Sequence, residues 1–163
     1  MNIMRDTKKW RKRYELATQI GELSKLYKAE TVFRFIFPIC LKLCNDTIAE
    51  VRVEAARHIK HIIIATEDTE YQGIVIETIR GYGLSNQCRQ KETFARMIRV
   101  IYDLPYFKDK VNHIMFDLAK DPIMNARIAL ARSVRQLIKQ DPKNRELFVE
   151  LIEVMKADDI DVS

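Results

Sequence analysis

The chain has 163 residues, 47% of them hydrophobic and 31% charged, enough for one core but not for two independent globular domains. Glycine and proline number four each, about 5% of the chain against a usual total of about 12%, which argues against disorder, collagen and turn-rich β folds. The longest apolar stretch, residues 35–44, is shorter than the roughly 20 residues that span a membrane, so we expect no membrane partner. Because the N-terminus lacks a secretory signal pattern, we expect a cytoplasmic or nuclear protein.

The net charge of +5 comes from one end of the chain. Residues 1–28 carry three acidic residues and these eight basic ones: Arg5, Lys8, Lys9, Arg11, Lys12, Arg13, Lys25 and Lys28. The remaining residues carry 20 charges of each sign. A phosphate-binding surface would spread its cations along the protein, so we expect a local docking surface or a solvated helix end and no nucleic-acid partner.

Apolar residues recur at spacings of three and four in nearly every segment, which predicts an all-α fold. In chain order, the predicted helices cover residues 8–27, 30–45, 47–65, 68–82, 86–103, 106–120, 123–140 and 144–157. Asp46, Ser85 and Asp121 each precede one of these helices, where a short side-chain oxygen can cap the first turn.

The helices form an internal repeat. Residues 46–59 overlay residues 121–134 without a gap, and five of the 14 positions are identical. Further copies begin at Ser85 and Thr7. The unit is a pair of helices with a cation six residues after the turn residue and an alanine four residues later. One such pair cannot cover its own apolar face, so the repeat predicts an α-solenoid. We expect a single domain, 1–163, with a half repeat at 6–28, repeats at 29–66, 67–104 and 105–141, and a half repeat at 142–163.

Two repeat positions have a structural interpretation. The small side chains let successive second helices approach closely; they are Ala17, Ala56, Ala95 and Ala131. The turn aspartate can face the cation of an adjacent repeat. We interpret these residues as a structural ladder in preference to ligand contacts: Asp46, Arg52, Asp121 and Arg127.

In this register the chain begins and ends within a repeat, so we expect it to be a piece of a longer scaffold. The apolar faces of its outermost helices should then be partly bare. The residues concerned are Leu16, Ile20 and Leu23 at one end and Phe148, Leu151, Ile152 and Met155 at the other.

No catalytic or metal-binding motif stands out in the sequence, and we expect neither an enzyme nor a cofactor or metal. His58 and His61 share a helix, and we expect no carboxylate or cysteine beside them at ligand spacing. Cys40 and Cys44 lie on one apolar helical face, which favours two buried thiols over a metal site.

Two runs of residues carry a family resemblance. Residues 37–46, followed by Val51-Arg52 and Ala55-Ala56, resemble the HEAT-repeat signature, in which a proline bends the first helix and Asp, Val-Arg and Ala follow. The order of motifs along the chain resembles the carboxy-terminal repeats of the scaffold (A) subunits of protein phosphatase 2A. The motifs are Trp10-Arg11-Lys12-Arg13, then a weaker repeat, then residues 121–127 and 131–133. The resemblance covers about residues 6–161, and the regulatory subunits of protein phosphatase 4 look similar. It implies a non-catalytic scaffold that binds a serine/threonine phosphatase catalytic subunit and a further regulatory subunit.

The resemblance also implies contact residues, because in that family the turns between paired helices hold the catalytic subunit. Carried onto matching positions, they are Trp10, Arg11, Asn45, Ile48, Glu50, Arg89, Met124 and Asn125. Tryptophan and arginine are common interface hot spots, which favours Trp10 and Arg11, although Trp10 could instead pack on the first helix of its own repeat. Ser85 and Lys91 depart from the family pattern and weaken the case for Arg89.

Two other functions share this fold. A HEAT adaptor for transport or assembly would differ only in its partner. A HEAT-like DNA glycosylase would use the basic N-terminal run, but the neutral remainder of the chain argues against it. Fold alone does not choose among these functions.

Overall fold

The computed structural model describes residues 9–160, with side chains as far as Ala157. No strand occurs in this range, and all its regular elements are helical. The α-helices are α1 (Trp10–Leu26), α2 (Ala29–Thr31), α3 (Phe37–Cys44), α4 (Ala49–Ala65), α5 (Glu70–Gly83), α6 (Cys88–Ile101), α7 (Lys108–Ala119), α8 (Met124–Gln140) and α9 (Arg145–Ile160). Within this described part, no helix combines the length and the apolar character needed to cross a bilayer.

The all-α prediction is confirmed, and the helices pack as in a helical-repeat protein. The largest local difference from the predicted helices lies before Pro38. There α2 continues into a π-helical turn, Val32–Ile36, in which the Phe37 N–H donates to the Val32 carbonyl five residues earlier. Proline has no N–H to donate back along the helix, and widening the helix by one residue accommodates that loss.

The chain divides into two compact units, one ending at Ile79 and the other beginning at Arg80. In the first unit, α1 and α3 both pack on α4. Its fully buried apolar residues are Ala17, Val32, Cys40, Leu43, Cys44, Val51, Ala55, Ile59, Ile62, Ile63, Val75 and Ile79.

The second unit is built around α8, which packs on α6, α7 and α9. The rings of Tyr102 and Phe148 meet at 5.1 Å between centroids and join the end of α6 to α9. The division of the chain into the repeats given above stays a prediction. The first residues of the predicted half repeat, among them Thr7 and Lys8, lie outside the described range, as does Arg5 of the basic N-terminal group.

The prediction of bare apolar faces on the outermost helices is wrong for four residues. Ile20 is 1% exposed, Phe148 and Leu151 are 0% exposed and Met155 is 7% exposed. The reason is packing within each unit, since α4 covers α1 and both α7 and α8 cover α9. The half-buried residues of the predicted set are Leu16, Leu23 and Ile152.

The three predicted capping residues bind the N–H of the residue just before each helix, and not an N–H of the helix's first turn. The Asp46 Oδ1 accepts from the Ile48 N–H at 2.9 Å, and the Asp121 Oδ1 accepts from the Ile123 N–H at the same distance. The Ser85 Oγ accepts from the Gln87 N–H at 3.0 Å. Each bond closes a tight turn across two residues, so the side chain shapes the entry to the second helix and does not satisfy an N–H within it.

Candidate functional site at the turns before the second helices

The predicted contact residues all lie where a second helix begins. Trp10 and Arg11 open α1, and Met124 and Asn125 open α8. The others are Asn45 and Ile48 in the turn before α4, Glu50 in its first turn and Arg89 in the first turn of α6. We call these four segments the second-helix turns: residues 9–11, 45–50, 85–89 and 121–125.

Most of the contact residues have side chains available to a partner. Met124 is 61% exposed although methionine is apolar. Trp10 and Ile48 are half-buried, and the exposed ones are Arg11, Asn45, Glu50, Arg89 and Asn125. The second-helix turns therefore combine apolar and charged surface.

Trp10 and Arg11 are held against each other. The Arg11 guanidinium carbon lies 5.2 Å from the centre of the Trp10 ring, a cation–π contact. The contact keeps a large aromatic surface and a charge in one orientation, which reduces the entropy lost when a partner binds.

A groove of about 260 Å³ lies between α1 and α4 in the first unit. Tyr14 forms its α1 side, and Glu50 is the predicted contact residue on its α4 side. Its remaining lining residues are Ala49, Val53, Glu54 and Arg57.

A more apolar cavity of about 170 Å³ lies between α8 and α9 in the second unit. Met124, the predicted contact residue, opens it, and Met155 lines it from α9. Its other lining residues are Arg127, Ile128 and Ala131. Each unit thus places a concave surface beside a second-helix turn.

The turn before α4 rests on a buried ion pair. The Arg13 Nε donates to the Asp46 Oδ2 at 2.5 Å, and a second nitrogen donates to Oδ1 at 3.1 Å. The two side chains are 2% and 4% exposed. Burial alone would raise the pKa of Asp46, but the hydrogen bonds from Arg13 and the Ile48 N–H outweigh it and hold that pKa below its ordinary value.

The turn before α8 has the same arrangement with a different cation. The Lys91 ammonium group donates to the Asp121 Oδ2, and the two side chains are 15% and 6% exposed. In both turns the cation that reaches the aspartate comes from the preceding second helix. Arg52 and Arg127 bind the turn backbone instead, since they donate to the carbonyls of Asp46 at 2.8 Å and Asp121 at 2.6 Å.

Another ion pair was missed in the sequence. The Lys108 Nζ donates to the Asp141 Oδ2 at 2.9 Å and joins the start of α7 to the end of α8. The hydrogen bond from Lys108 lowers the pKa of Asp141 against the opposing effect of burial. The 33-residue separation, the same as for Arg13 and Asp46, is the signal that could have identified the pair.

The expectation that His58 has no carboxylate neighbour is wrong. The Glu54 Oε1 lies 3.1 Å from the His58 Nε2, one helical turn away. This pair does not amount to a metal site, since no cluster of three or more His, Cys, Asp or Glu residues occurs among the described residues. Cys40 and Cys44 are buried free thiols, and the pKa of Cys44 is raised by its hydrogen bond with Cys40 and by burial.

Comparison with known proteins agrees with the resemblance seen in the sequence. Residues 36–64 match the HEAT-repeat family model, which covers α3, α4 and the turn between them. The chain is 29% identical to the serine/threonine-protein phosphatase 4 regulatory subunit 1 of Homo sapiens and 28% identical to that of Rattus norvegicus. The alignments cover 83% and 82% of this chain and 15% of each relative. No solved structure matches the chain.

Proposed function

We propose that this protein is a non-catalytic regulatory scaffold that binds the catalytic subunit of a serine/threonine phosphatase through its second-helix turns. The similarity to phosphatase 4 regulatory subunits supports this class of partner and makes the type 4 catalytic subunit the first to test. Because the chain spans about 15% of the length of those relatives, partner and binding mode are proposals for this chain.

The observation that carries the binding mode is the contrast between the exposed and buried parts of each turn. Arg11, Glu50 and Met124 face solvent, whereas the aspartates behind two of these turns are buried in ion pairs. A turn held from behind presents its outer side chains in a fixed arrangement, which favours a rigid protein partner.

Trp10 and Arg11 carry the largest share of the proposed binding energy. Trp10 offers aromatic surface beside the Arg11 charge, and both residue types are enriched at interface hot spots. Truncating such a residue typically costs about 2 kcal/mol or more, roughly 30-fold in affinity.

The test is biolayer interferometry of the immobilised chain with purified phosphatase 4 catalytic subunit, and in parallel with phosphatase 2A catalytic subunit. We expect the parent to bind and both Trp10→Ala and Arg11→Glu to bind at least about 10-fold more weakly. Phe35→Ala is the matched control, because Phe35 is 64% exposed on the first helix of a pair and lies away from the turns.

Two results would overturn the proposal. Failure of the parent to bind either catalytic subunit would remove the proposed partner. Binding by the parent with equal affinity for Trp10→Ala, Arg11→Glu and Phe35→Ala would retain the partner and reject the turns as its contact surface.

A further inference from the structure

A dense group of arginines lies on the solvent-facing side of α6 and α8. These two second helices pack on each other, and a shift of 36 residues relates them. Under that shift Arg96 corresponds to Arg132 and Arg99 corresponds to Arg135. Arg132 and Arg135 are exposed, and Arg96 and Arg99 are half-buried. We call these four residues and Lys139, one turn further along α8, the arginine patch.

The patch has a large excess of positive charge. The 17 residues of α8 include four exposed or half-buried cations and no acidic residue; the cations are Arg127, Arg132, Arg135 and Lys139. The acidic residue of α6 is Glu92, which pairs with Arg96 at 3.6 Å, and Asp103 follows two residues after the end of the helix. Among the described residues, no carboxylate forms an ion pair with Arg132 or Arg135.

Helix geometry fixes the size of the patch. Residues three apart on a helix are about 5 Å apart, and packed helices have axes about 8–10 Å apart. The backbone positions of the four arginines therefore lie within an area of roughly 10 Å by 10 Å. Like charges at this spacing repel one another and destabilise the fold slightly, an effect that an anionic ligand would remove.

The apolar cavity between α8 and α9 adjoins the patch. Ile128 is 39% exposed, lines the cavity and lies one helical turn before Arg132. A cavity of about 170 Å³ is large enough for one aliphatic or aromatic group. Cations and an apolar recess thus follow each other along α8, with Ile128 about 10 Å from Arg135.

We propose that the arginine patch binds an acidic polypeptide segment whose apolar side chain enters the cavity beside Ile128. Guanidinium groups bind carboxylates in a bidentate manner, which suits clustered Asp and Glu side chains. An extended segment rises about 3.3 Å per residue, so about three positions separate its apolar residue from the acidic ones that reach Arg135. Glu92, Asp103 and the apolar recess interrupt the positive charge, which disfavours a continuous phosphate backbone.

This inference does not depend on the proposed phosphatase partner. The arginine patch lies on the faces of α6 and α8, and it shares with the second-helix turns only the border of the cavity at Met124. A partner held at the turns and an acidic segment on the patch are separate binding events.

The test is fluorescence anisotropy of the full chain with the labelled peptide Leu-Ser-Ser-Glu-Glu-Asp-Glu. We expect saturable binding that weakens at least about 10-fold in the double variant Arg132→Glu/Arg135→Glu and that weakens as salt rises. Lys42→Glu/Lys120→Glu is the charge-matched control, since both lysines are exposed and lie outside the patch, and it should bind within about two-fold of the parent. Replacing the peptide leucine by serine should also weaken binding, and Trp10→Ala should not.

Three outcomes would overturn the proposal. They are no peptide binding by a folded parent chain, equal loss in the patch variant and the control variant, and tighter binding of a labelled oligothymidine of the same charge than of the peptide. Thermal unfolding of each variant shows whether it is folded.

Discussion

The turn before α4 and the turn before α8 share one geometry but rest on different cations. In both turns an aspartate accepts the N–H two residues ahead at 2.9 Å and receives a cation from the preceding second helix. Arg13 reaches Asp46 with two hydrogen bonds in a site where both side chains are almost fully buried. Lys91 reaches Asp121 with its ammonium group alone, and the Lys91 side chain is 15% exposed. The same repeat position is therefore expected to contribute more to stability in the first unit than in the second.

Removing the two aspartates should show the largest difference between the turns. Asp46→Ala removes the carboxylate that pairs with the buried Arg13 guanidinium, for which we expect a loss of about 3–5 kcal/mol in the free energy of unfolding. Asp121→Ala should cost about 1–2 kcal/mol, because Lys91 can extend into water. Urea denaturation measures both values, and each turn loses an equivalent backbone hydrogen bond, so Asp121→Ala is the matched control. Equal losses would contradict the comparison.

Glycine substitutions compare the close contacts in the two units. A Cβ at Gly83 would lie 2.6 Å from an Ile114 carbon and 2.7 Å from the buried Phe94 ring, so Gly83→Ala should cost about 1–3 kcal/mol. A Cβ at Gly21 would lie 2.6 Å from the Nδ1 of the half-buried His58 ring, which can shift, so Gly21→Ala should cost less.

Gly81→Ala is the control for both glycines, because nothing lies within 4 Å of its Cβ position. It should stabilise the helix by about 0.5–1 kcal/mol. Thermal or urea unfolding of the three variants gives the order, and a Gly21→Ala loss larger than that of Gly83→Ala would show that the first unit is the more tightly packed at this point.

Exchanging the cations should have a smaller effect than removing the aspartates. Arg13→Lys loses one of the two hydrogen bonds to Asp46 in a buried site, and we expect a loss of about 1–2 kcal/mol. Lys91→Arg should change the free energy of unfolding by less than about 0.5 kcal/mol, since the Lys91 side chain is more exposed than that of Arg13. If the two exchanges lower the free energy of unfolding equally in urea denaturation, the difference in burial between the two turns does not affect stability.

The pH dependence of stability should show the smallest effect, and it separates His61 from Asp46. Burial, Lys25 and His58 lower the pKa of His61 in the folded protein. The unfolded chain therefore takes up a proton on His61 at a higher pH than the folded protein does, so stability falls as pH drops from the unfolded pKa to the lower folded pKa. Because the folded pKa of Asp46 is also lowered, its stabilisation is present above its unfolded pKa and disappears only as pH falls through its folded pKa. In thermal unfolding, His61→Gln should reduce the loss of stability that occurs just below neutral pH and leave the loss at more acidic pH unchanged. If the loss just below neutral pH is the same in His61→Gln and the parent, His61 does not cause it.

The repeat could be predicted from the sequence because its physical constraints are local. Helical periodicity predicted the helices. The repeat was recognised because Asp46 and Arg52 have the same six-residue separation as Asp121 and Arg127. Which cation reaches which aspartate could not be predicted, because Arg13 and Arg52 occupy the same repeat position and only packing shows that Arg52 donates to its own turn. The choice depends on how the preceding helix lies against the turn.

Charge and burial were less predictable than the helices. The charges of residues 29–163 sum to zero. That sum gives no indication that the side of α8 with Arg132 and Arg135 is positively charged. Burial of Phe148 and Leu151 depends on how α9 folds back onto α7 and α8, which periodicity does not reveal. Both properties depend on which helix faces are covered.

The claim at the centre of this account is that the second-helix turns form the partner surface. Hydrogen–deuterium exchange of the chain with and without phosphatase 4 catalytic subunit tests it most directly. We predict slower amide exchange in the second-helix turns, at residues 9–11, 45–50, 85–89 and 123–125, in the complex, and unchanged exchange in the first helices α3 and α7. Protection confined to α3 and α7, with none at the turns, would contradict the claim.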